Sequence, residues 1–306
     1  MASITVKAFA KINLALDVLG IRDDNFHEVE MVMQGINLYD ELDLEVTSGS
    51  EIQLACPYPD TGPLTENLAY RAAKLLQVKY GFTQGIRITL RKNIPVAAGL
   101  AGGSADGAAV LLGLNALLAL GLSLNTLREL ASQLGSDVPF CLWPATAIAR
   151  GRGELINEVH YSPTLWMVLC KPPYGVSTAL VYQNLNNVSI TRRPDIPSLL
   201  TALANKDLEQ AYNKMTNVLE YSTFALHPDL HEQAQEIEKK GARRVIMAGS
   251  GPTLIAFTSG EAEALALAEK WQKPGWSIIV ARTLEIRDLR EREELYGREA
   301  FNPSKS

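Results

Sequence analysis

The sequence predicts an α+β chain folded as two domains and followed by a charged tail. Three observations predict it. The chain has 306 residues, enough for two domains of ordinary size. Its composition, 47% hydrophobic and 21% charged, is globular. Stretches of strand-like alternation and stretches of helical period are interleaved along its length. The boundaries drawn from this pattern are 1–160, 161–284 and 285–306.

Residues 3–9 and 12–19 read as strands, as do 41–46 and 51–55, the former by alternation of Leu42, Leu44 and Val46. Residues 67–80 read as a helix with Leu68, Ala72, Leu75 and Leu76 on one face. Ile86, Ile88 and Leu90 alternate into another strand. Helices follow at about 105–120 and 124–134. A largely apolar run at 164–170 predicts a buried strand. Helices are expected near 177–185, 196–204, 207–223 and 228–240. Residues 243–257 read as two short strands joined by a Gly-Ser-Gly turn, and a helix (260–272) and strand (277–283) complete this half. The tail from Glu285 is expected to fray.

Composition narrows the function classes. A net charge of -5 and the lack of a Lys/Arg run argue against a nucleic-acid binder. Three widely spaced cysteines (Cys56, Cys141, Cys170) form no Cys-x-x-Cys pair and no zinc pattern. They are expected to be buried as small hydrophobes in a reducing compartment. Residues 107–124 carry no charge, but Gly107, Gly113, Gly121 and Asn115 argue for a buried helix, not a membrane span. The N-terminus lacks the apolar core of a signal peptide. Together these favour a protein of a bacterial cytoplasm with no nucleic-acid or membrane partner; whether it is a monomer or homodimer the sequence leaves open.

The most informative stretch, residues 94–109, reads Ile-Pro-Val-Ala-Ala-Gly-Leu-Ala-Gly-Gly-Ser-Ala-Asp-Gly-Ala-Ala. Three glycines and Ser104 precede a strongly apolar helical run. Glycines let the backbone approach a ligand, and a helix N-terminus presents unpaired N–H groups. The pattern fits a phosphate site, or more plainly a tight turn capped by Ser104. Neither Gly-x-x-x-x-Gly-Lys-Ser/Thr nor Gly-x-Gly-x-x-Gly occurs in the chain.

Ala10-Lys11-Ile12-Asn13-Leu14 sets Lys11 and Asn13 on one face of an apolar strand. Taken alone, this reads as a solvated strand edge; an inward lysine needs a carboxylate or phosphate partner. Asp137, in Gly135-Ser136-Asp137-Val138-Pro139-Phe140, reads as a cap or as a carboxylate held to take a proton from a hydroxyl. Gly249-Ser250-Gly251 is a second glycine turn, and residues 22–28 form a polar loop with one aromatic and one histidine.

Together these motifs resemble the GHMP kinases. They most resemble the branch acting on the cytidylylated methylerythritol of the non-mevalonate isoprenoid route, and the likeness runs from about residue 4 to 283. The Ala-Lys-Ile-Asn-Leu, Phe-His-Glu and Gly-Ser-Asp-Val-Pro motifs select that branch.

The resemblance implies a two-domain fold. The N-terminal domain would be like the second domain of ribosomal protein S5 and the C-terminal domain ferredoxin-like, with the active site between them. It implies ATP as co-substrate and Mg2+ as cofactor, with no carboxylate singled out as metal ligand. Asp137 would be the base and Lys11 its partner. Pro95, Gly99, Leu100, Ala101, Gly102, Gly103 and Ser104 would wrap the ATP phosphates, with Asn67 and Lys92 near the nucleoside. Asn13 would meet the methylerythritol end. Phe26, His27 and Tyr182 would hold cytidine, with Phe26 and Tyr182 on opposite ring faces. Gly249, Ser250 and Gly251 would close the far side.

Two departures stand out. Asn25 and Phe26 replace a glycine and a tyrosine usual in the family, and Asn25 tolerates positive φ. Ala248 replaces a serine. The competing readings are another GHMP kinase, of homoserine or phosphomevalonate type, and a non-catalytic GHMP-fold binding protein.

Overall fold

The computed structural model describes residues 2–57, 63–159, 163–290 and 292. The chain opens with two long antiparallel strands, β1 (Ser3–Ile21) and β2 (His27–Thr47). The two strands expected at 3–9 and 12–19 are therefore one, interrupted by register shifts at Phe9/Lys11 and Asn13/Ala15 and not by a turn. Likewise β2 begins at His27 and not near 41. Both strands are buried on both faces around residues 31–36, which erases the alternation that marks a half-buried strand.

β3 (Ile52–Ala55) lies parallel to β4 (Gly85–Arg91), with helix α1 (Leu68–Tyr80) as the crossover. β4 pairs with the far half of β2. Helix α2 (Gly102–Leu117) follows and packs on α1 and β1. Residues 105–115 of α2 are all buried, as a helix apolar all round requires. It ends at Leu117, with Leu118 as C-cap, before the end expected near 120. Helices α3 (Leu124–Ser132) and α4 (Val138–Leu142) lead to β5 (Thr146–Arg150) and β6 (Leu155–Val159), which extend the near half of β2.

Next come β7 (Trp166–Lys171), α5 (Thr178–Asn184), α6 (Ile196–Ala204), α7 (Leu208–Lys214), β8 (Thr216–Asn217), α8 (Leu219–Leu226) and α9 (Pro228–Lys239). β9 (Arg244–Met247), β10 (Leu254–Thr258), α10 (Glu261–Lys270) and β11 (Ser277–Arg282) complete the chain's second sheet, antiparallel in the order β11-β7-β10-β9. Numbered within this half, the order is 4-1-3-2, the ferredoxin-like arrangement.

The helix expected over 207–223 is broken. Thr216 and Asn217 leave the helical path to pair parallel with Ala15 and Leu16 of β1, so tertiary pairing overrides local propensity. β8 covers only the Ala15–Leu16 stretch of β1; at Lys11 the open side is taken by the glycine loop, whose Leu100 carbonyl accepts the Lys11 amide, which is why this lysine does not sit at an edge.

The start of the tail does not fray. A 3₁₀ turn at Ile286–Leu289 carries a reciprocal Glu285/Asp288 cap, and Leu289 and Arg292 are buried. The rest of the predicted tail lies outside the described residues. Cys141 and Cys170 are buried as expected, whereas Cys56 is half-buried. Among the described residues no helix is long and apolar enough to cross a membrane.

Candidate active site

The glycine loop follows β4 and delivers the chain to the N-terminus of α2. Positive φ falls on Ala97 (51°), Gly99 (75°) and Ala101 (56°). Alternate residues in this conformation turn successive N–H groups to one side, a concavity suited to an anion. Gly102 and Gly103 instead belong to α2, and a β-carbon on Gly102 would press Ile94 and the Lys92 ammonium. Ser104 does not cap the helix, as its plain reading had it. Ala101 holds the cap position without a side-chain bond, so the first N–H groups of α2 keep their partial positive charge for a ligand. The Lys11 amide donates to the Leu100 carbonyl at 3.1 Å, which ties the loop to β1.

Lys11 and Asn13 are buried, not solvated, at 4% and 0% exposure. The Lys11 Nζ lies 3.4 Å from Asp137 Oδ2 and donates to Asn13 Oδ1 at 2.9 Å. The Asn13 amide in turn approaches the Met31 sulfur at 3.2 Å. Both polar ends of Asn13 are engaged and it stands behind Lys11, outside the cleft lining. Asp137 occupies the N-cap position of α4, yet its carboxylate makes no capping bond. It remains available to the cleft, with its side chain 31% exposed.

The second glycine turn meets the first backbone to backbone. A β-carbon on Gly99 would overlap the Ala248 carbonyl oxygen, and one on Gly249 (φ 55°) would sit 3.4 Å from the Gly99 carbonyl oxygen. Asn217 holds this turn by donating to the Met247 and Gly249 carbonyls at 2.8 and 2.7 Å. The hydroxyls of Ser250 and Thr178 bond at 2.8 Å. Gly251 supports the turn from behind and is not in the lining, and Ala248, the other departure from the family pattern, is fully buried.

A cleft of about 680 Å³ joins these parts. Lys11, Gly99, Ala101, Ser104, Asp137, Gly249 and Ser250 line one end, and Phe26, His27, Tyr182 and Arg152 line the other. The turn before β2 is intact, with Asn25 at φ 63° and the Phe26 amide donating to Asp24 at 3.1 Å. Tyr182 packs on His27 at 4.6 Å between ring centroids, while the Arg152 guanidinium covers Phe26 at 4.8 Å. Burial pushes the Tyr182 phenol above its usual range.

A second cavity of about 310 Å³ shares Gly99 and Ala101 with the first. It is lined by Asn67, Lys92, Pro95, Leu100, Gly102, Gly103 and Asp106, among others. Asn67 also caps α1 through the Ala69 amide. Lys92 is buried between two carboxylates, bonding Asp40 closely and Asp106 at 2.8 Å. Asp40 also accepts the Asn93 and Ile94 amides, which fixes the entry to the glycine loop.

Burial, with Asp40 beside it, pushes the Asp106 acid up to about 8 against the pull of Lys92. A carboxyl raised in the folded state adds stability that is complete below its unfolded value near 3.8 and is lost as pH rises through about 8. Asp106→Asn is therefore expected to flatten unfolding free energy against pH over that window. Urea titrations at stepped pH check this; an unchanged slope would remove Asp106 from the titration.

The match to known proteins decides between the possible owners of such a site. The GHMP kinase N-terminal domain family matches residues 67–144, and its C-terminal partner family matches 199–275. The 4-diphosphocytidyl-2-C-methyl-D-erythritol kinase of Bacillus cytotoxicus is 47% identical over 82% of this chain and 87% of its own length. The kinase of that name from Pelotomaculum thermopropionicum is 44% identical over 93% of this chain and 99% of its own. The chain belongs to the 4-diphosphocytidyl-2-C-methyl-D-erythritol kinase family of GHMP kinases. A crystal structure of a 4-(cytidine 5'-diphospho)-2C-methyl-D-erythritol kinase superposes with a TM-score of 0.79 at 34% identity, covering 92% of this chain and all of that one.

Relative to this kinase family, several supporting residues carried no signal that sequence reasoning could use. Asp40 lies in an acidic run, Tyr-Asp-Glu-Leu-Asp, and nothing there marks the one aspartate that faces inward. Asn217 lies in what reads as a helix. Asp106 falls inside the glycine-loop stretch and Arg152 in the turn between β5 and β6, and their spacing alone assigns them no task.

Proposed function

We propose that the chain transfers the γ-phosphoryl group of ATP to the 2-hydroxyl of 4-diphosphocytidyl-2-C-methyl-D-erythritol. The observation that carries this reading is the Lys11–Asp137 pair, set in one cleft between an anion-binding loop and an aromatic–histidine end. Phosphoryl transfer depends mainly on alignment and charge stabilisation. Asp137 accepts a hydrogen bond from the attacking hydroxyl, orients it and takes its proton as the new P–O bond forms. The hydroxyl is tertiary, so orientation matters all the more. Lys11 neutralises charge growing on the transferred group. Asn13, engaged behind it, keeps the Lys11 ammonium aimed at the cleft.

The backbone amides from Gly99 to Ser104 receive the phosphates. The smaller cavity beside Asn67 and Lys92 takes the nucleoside. Gly249 and Ser250 close the opposite wall. Ser104 lines the cleft beside the glycine loop and would be the side chain placed to meet magnesium, which, when bound with ATP, would offset charge on its phosphates. Among the described residues, no group of three or more His, Cys, Asp and Glu side chains forms a metal cage. The reaction is assigned to the cytoplasm.

At the far end, cytosine stacks on Phe26 in place of the Arg152 guanidinium, with His27 and Tyr182 alongside. Base–aromatic stacking is worth about 1–3 kcal/mol. Phe26→Ala is expected to raise KM for the cytidylyl substrate about tenfold and to leave KM for ATP within about twofold. Equal losses for both would count against the stacking. The reaction itself is tested by ADP release with magnesium-ATP and the cytidylyl substrate, beside homoserine and phosphomevalonate. Turnover on the cytidylyl substrate alone supports the proposal. Turnover on another alcohol retains the chemistry and removes the substrate. No turnover with ATP still bound supports a binding protein.

A further inference from the structure

The two members of the central pair come from different elements: Lys11 from β1, and Asp137 from the turn that starts α4. Their 3.4 Å separation is set by how β1 and α4 are held together. α4 is five residues long, too short to be stable alone. Its register must come from what it touches.

On the side away from the cleft, one side chain grips both elements. The Arg292 guanidinium donates to the carbonyls of Cys141 and Leu142, the last two residues of α4, at 2.6 Å each. It also donates to the Lys7 carbonyl of β1 at 2.9 Å. It stacks over the Phe9 ring at 5.4 Å and is 3% exposed. A buried cation at a helix C-terminus satisfies carbonyls that no further turn would reach, and it opposes the negative end of the helix.

The segment that brings Arg292 there is anchored at several points. Leu284 donates its amide to the Gly35 carbonyl at 2.9 Å, and Leu284 and Leu289 pack with Phe9, Trp143 and Ala145. Arg282 bonds both oxygens of Asp288 at 2.7 and 2.9 Å. The strap thus leads from β11, alongside β2 at Gly35–Asn37, towards the end of α4 that Arg292 holds.

From this geometry we infer that Arg292 is a positioning residue for phosphoryl transfer, clamping α4 to β1 so that Asp137 stays in register with Lys11 and the substrate hydroxyl. The inference rests on the reading of Asp137 as the base. Arg292 is not among the residues that line the cleft, and its hydrogen bonds to Cys141 and Leu142 let it act through α4. Without it, substrates still reach their pockets, but the base sits out of line. A misplacement near 1 Å costs up to about a hundredfold in rate.

The test uses the full chain with Arg292→Met, Arg292→Lys and Asp137→Asn, measuring kcat, both KM values and the melting transition. Arg292→Met is expected to lower kcat about tenfold with both KM values within about twofold. Arg292→Lys, which can still donate to the carbonyls, should recover most of that loss, and low-millimolar guanidinium should restore part of the Arg292→Met activity. A folded Arg292→Met enzyme with unchanged kcat overturns the inference. So does a loss that only follows the folded fraction and that neither lysine nor guanidinium recovers. If Arg292→Met does not fold, Arg292→Gln provides the same comparison. If Asp137→Asn is fully active, the reading of the base has failed, whatever Arg292 does. If Asp137→Asn is inactive and Arg292→Met is unaffected, only the clamp has failed.

Discussion

Asp137→Ala is expected to reduce kcat by about a thousandfold, the usual weight of a positioned general base, while the enzyme stays folded and still binds ATP. The carboxylate makes no capping bond to α4, so its removal takes no hydrogen bond from the helix. Its partner in the structure is Lys11 at 3.4 Å, and Lys11 keeps its bond to Asn13 when the carboxylate is gone. Stability should therefore change little, or by about the few tenths to one kcal/mol typical of a partly exposed pair. Steady-state kinetics together with a melting curve separate the two effects. A well-folded variant that retains near-normal kcat would remove Asp137 from the mechanism.

The second large effect is expected at Gly99. With φ at 75° it occupies a backbone region where a β-carbon costs about 1–2 kcal/mol. The added atom would also strike the Ala248 carbonyl, which is backbone and cannot rotate aside. Gly99→Ala must therefore push the two glycine turns apart, and both line the cleft. The expected result is a fall of about a hundredfold in kcat/KM for ATP, as for other small displacements of aligned groups, together with a lower melting temperature. Gly49→Ala is the control: it lies in the exposed turn after β2, lines neither cavity, and a β-carbon there would meet nothing within 4 Å. It should leave activity intact. Similar activity losses at both positions would refute the steric argument.

Much of the architecture was readable because local pattern and tertiary role agree. α1 shows one apolar face and one buried face, and the alternation of Ile86, Ile88 and Leu90 becomes β4. Legibility failed where a segment is buried on all sides. The first part of β2 shows no alternation, and β1 hides Lys11, Asn13 and Asp17 in its interior. Lys11 is the clearest instance. Its most economical reading from residues alone is a solvated edge, and only its companions in the motif point inward. For Asp137, the pairing with Lys11 across 126 positions of sequence depends on the packing of α4 against β1, which no local spacing encodes. At the aromatic end, Phe26, His27 and Tyr182 were legible as residues, whereas the Arg152 guanidinium over Phe26 was not, since it comes from a distant turn. β8 was lost because two residues taken by a distant strand leave no periodic trace.

That brief pairing of β8 with β1 bears on how the chain emerges during synthesis. Ala15 and Leu16 leave the ribosome early, yet their partners Thr216 and Asn217 follow only after two-thirds of the chain has been made. Until then, this stretch of β1 is an open, apolar strand edge of the kind that invites intermolecular pairing. The first sheet is finished by the second half of the chain, so the nascent first half is the stage most exposed to aggregation and to capture by chaperones.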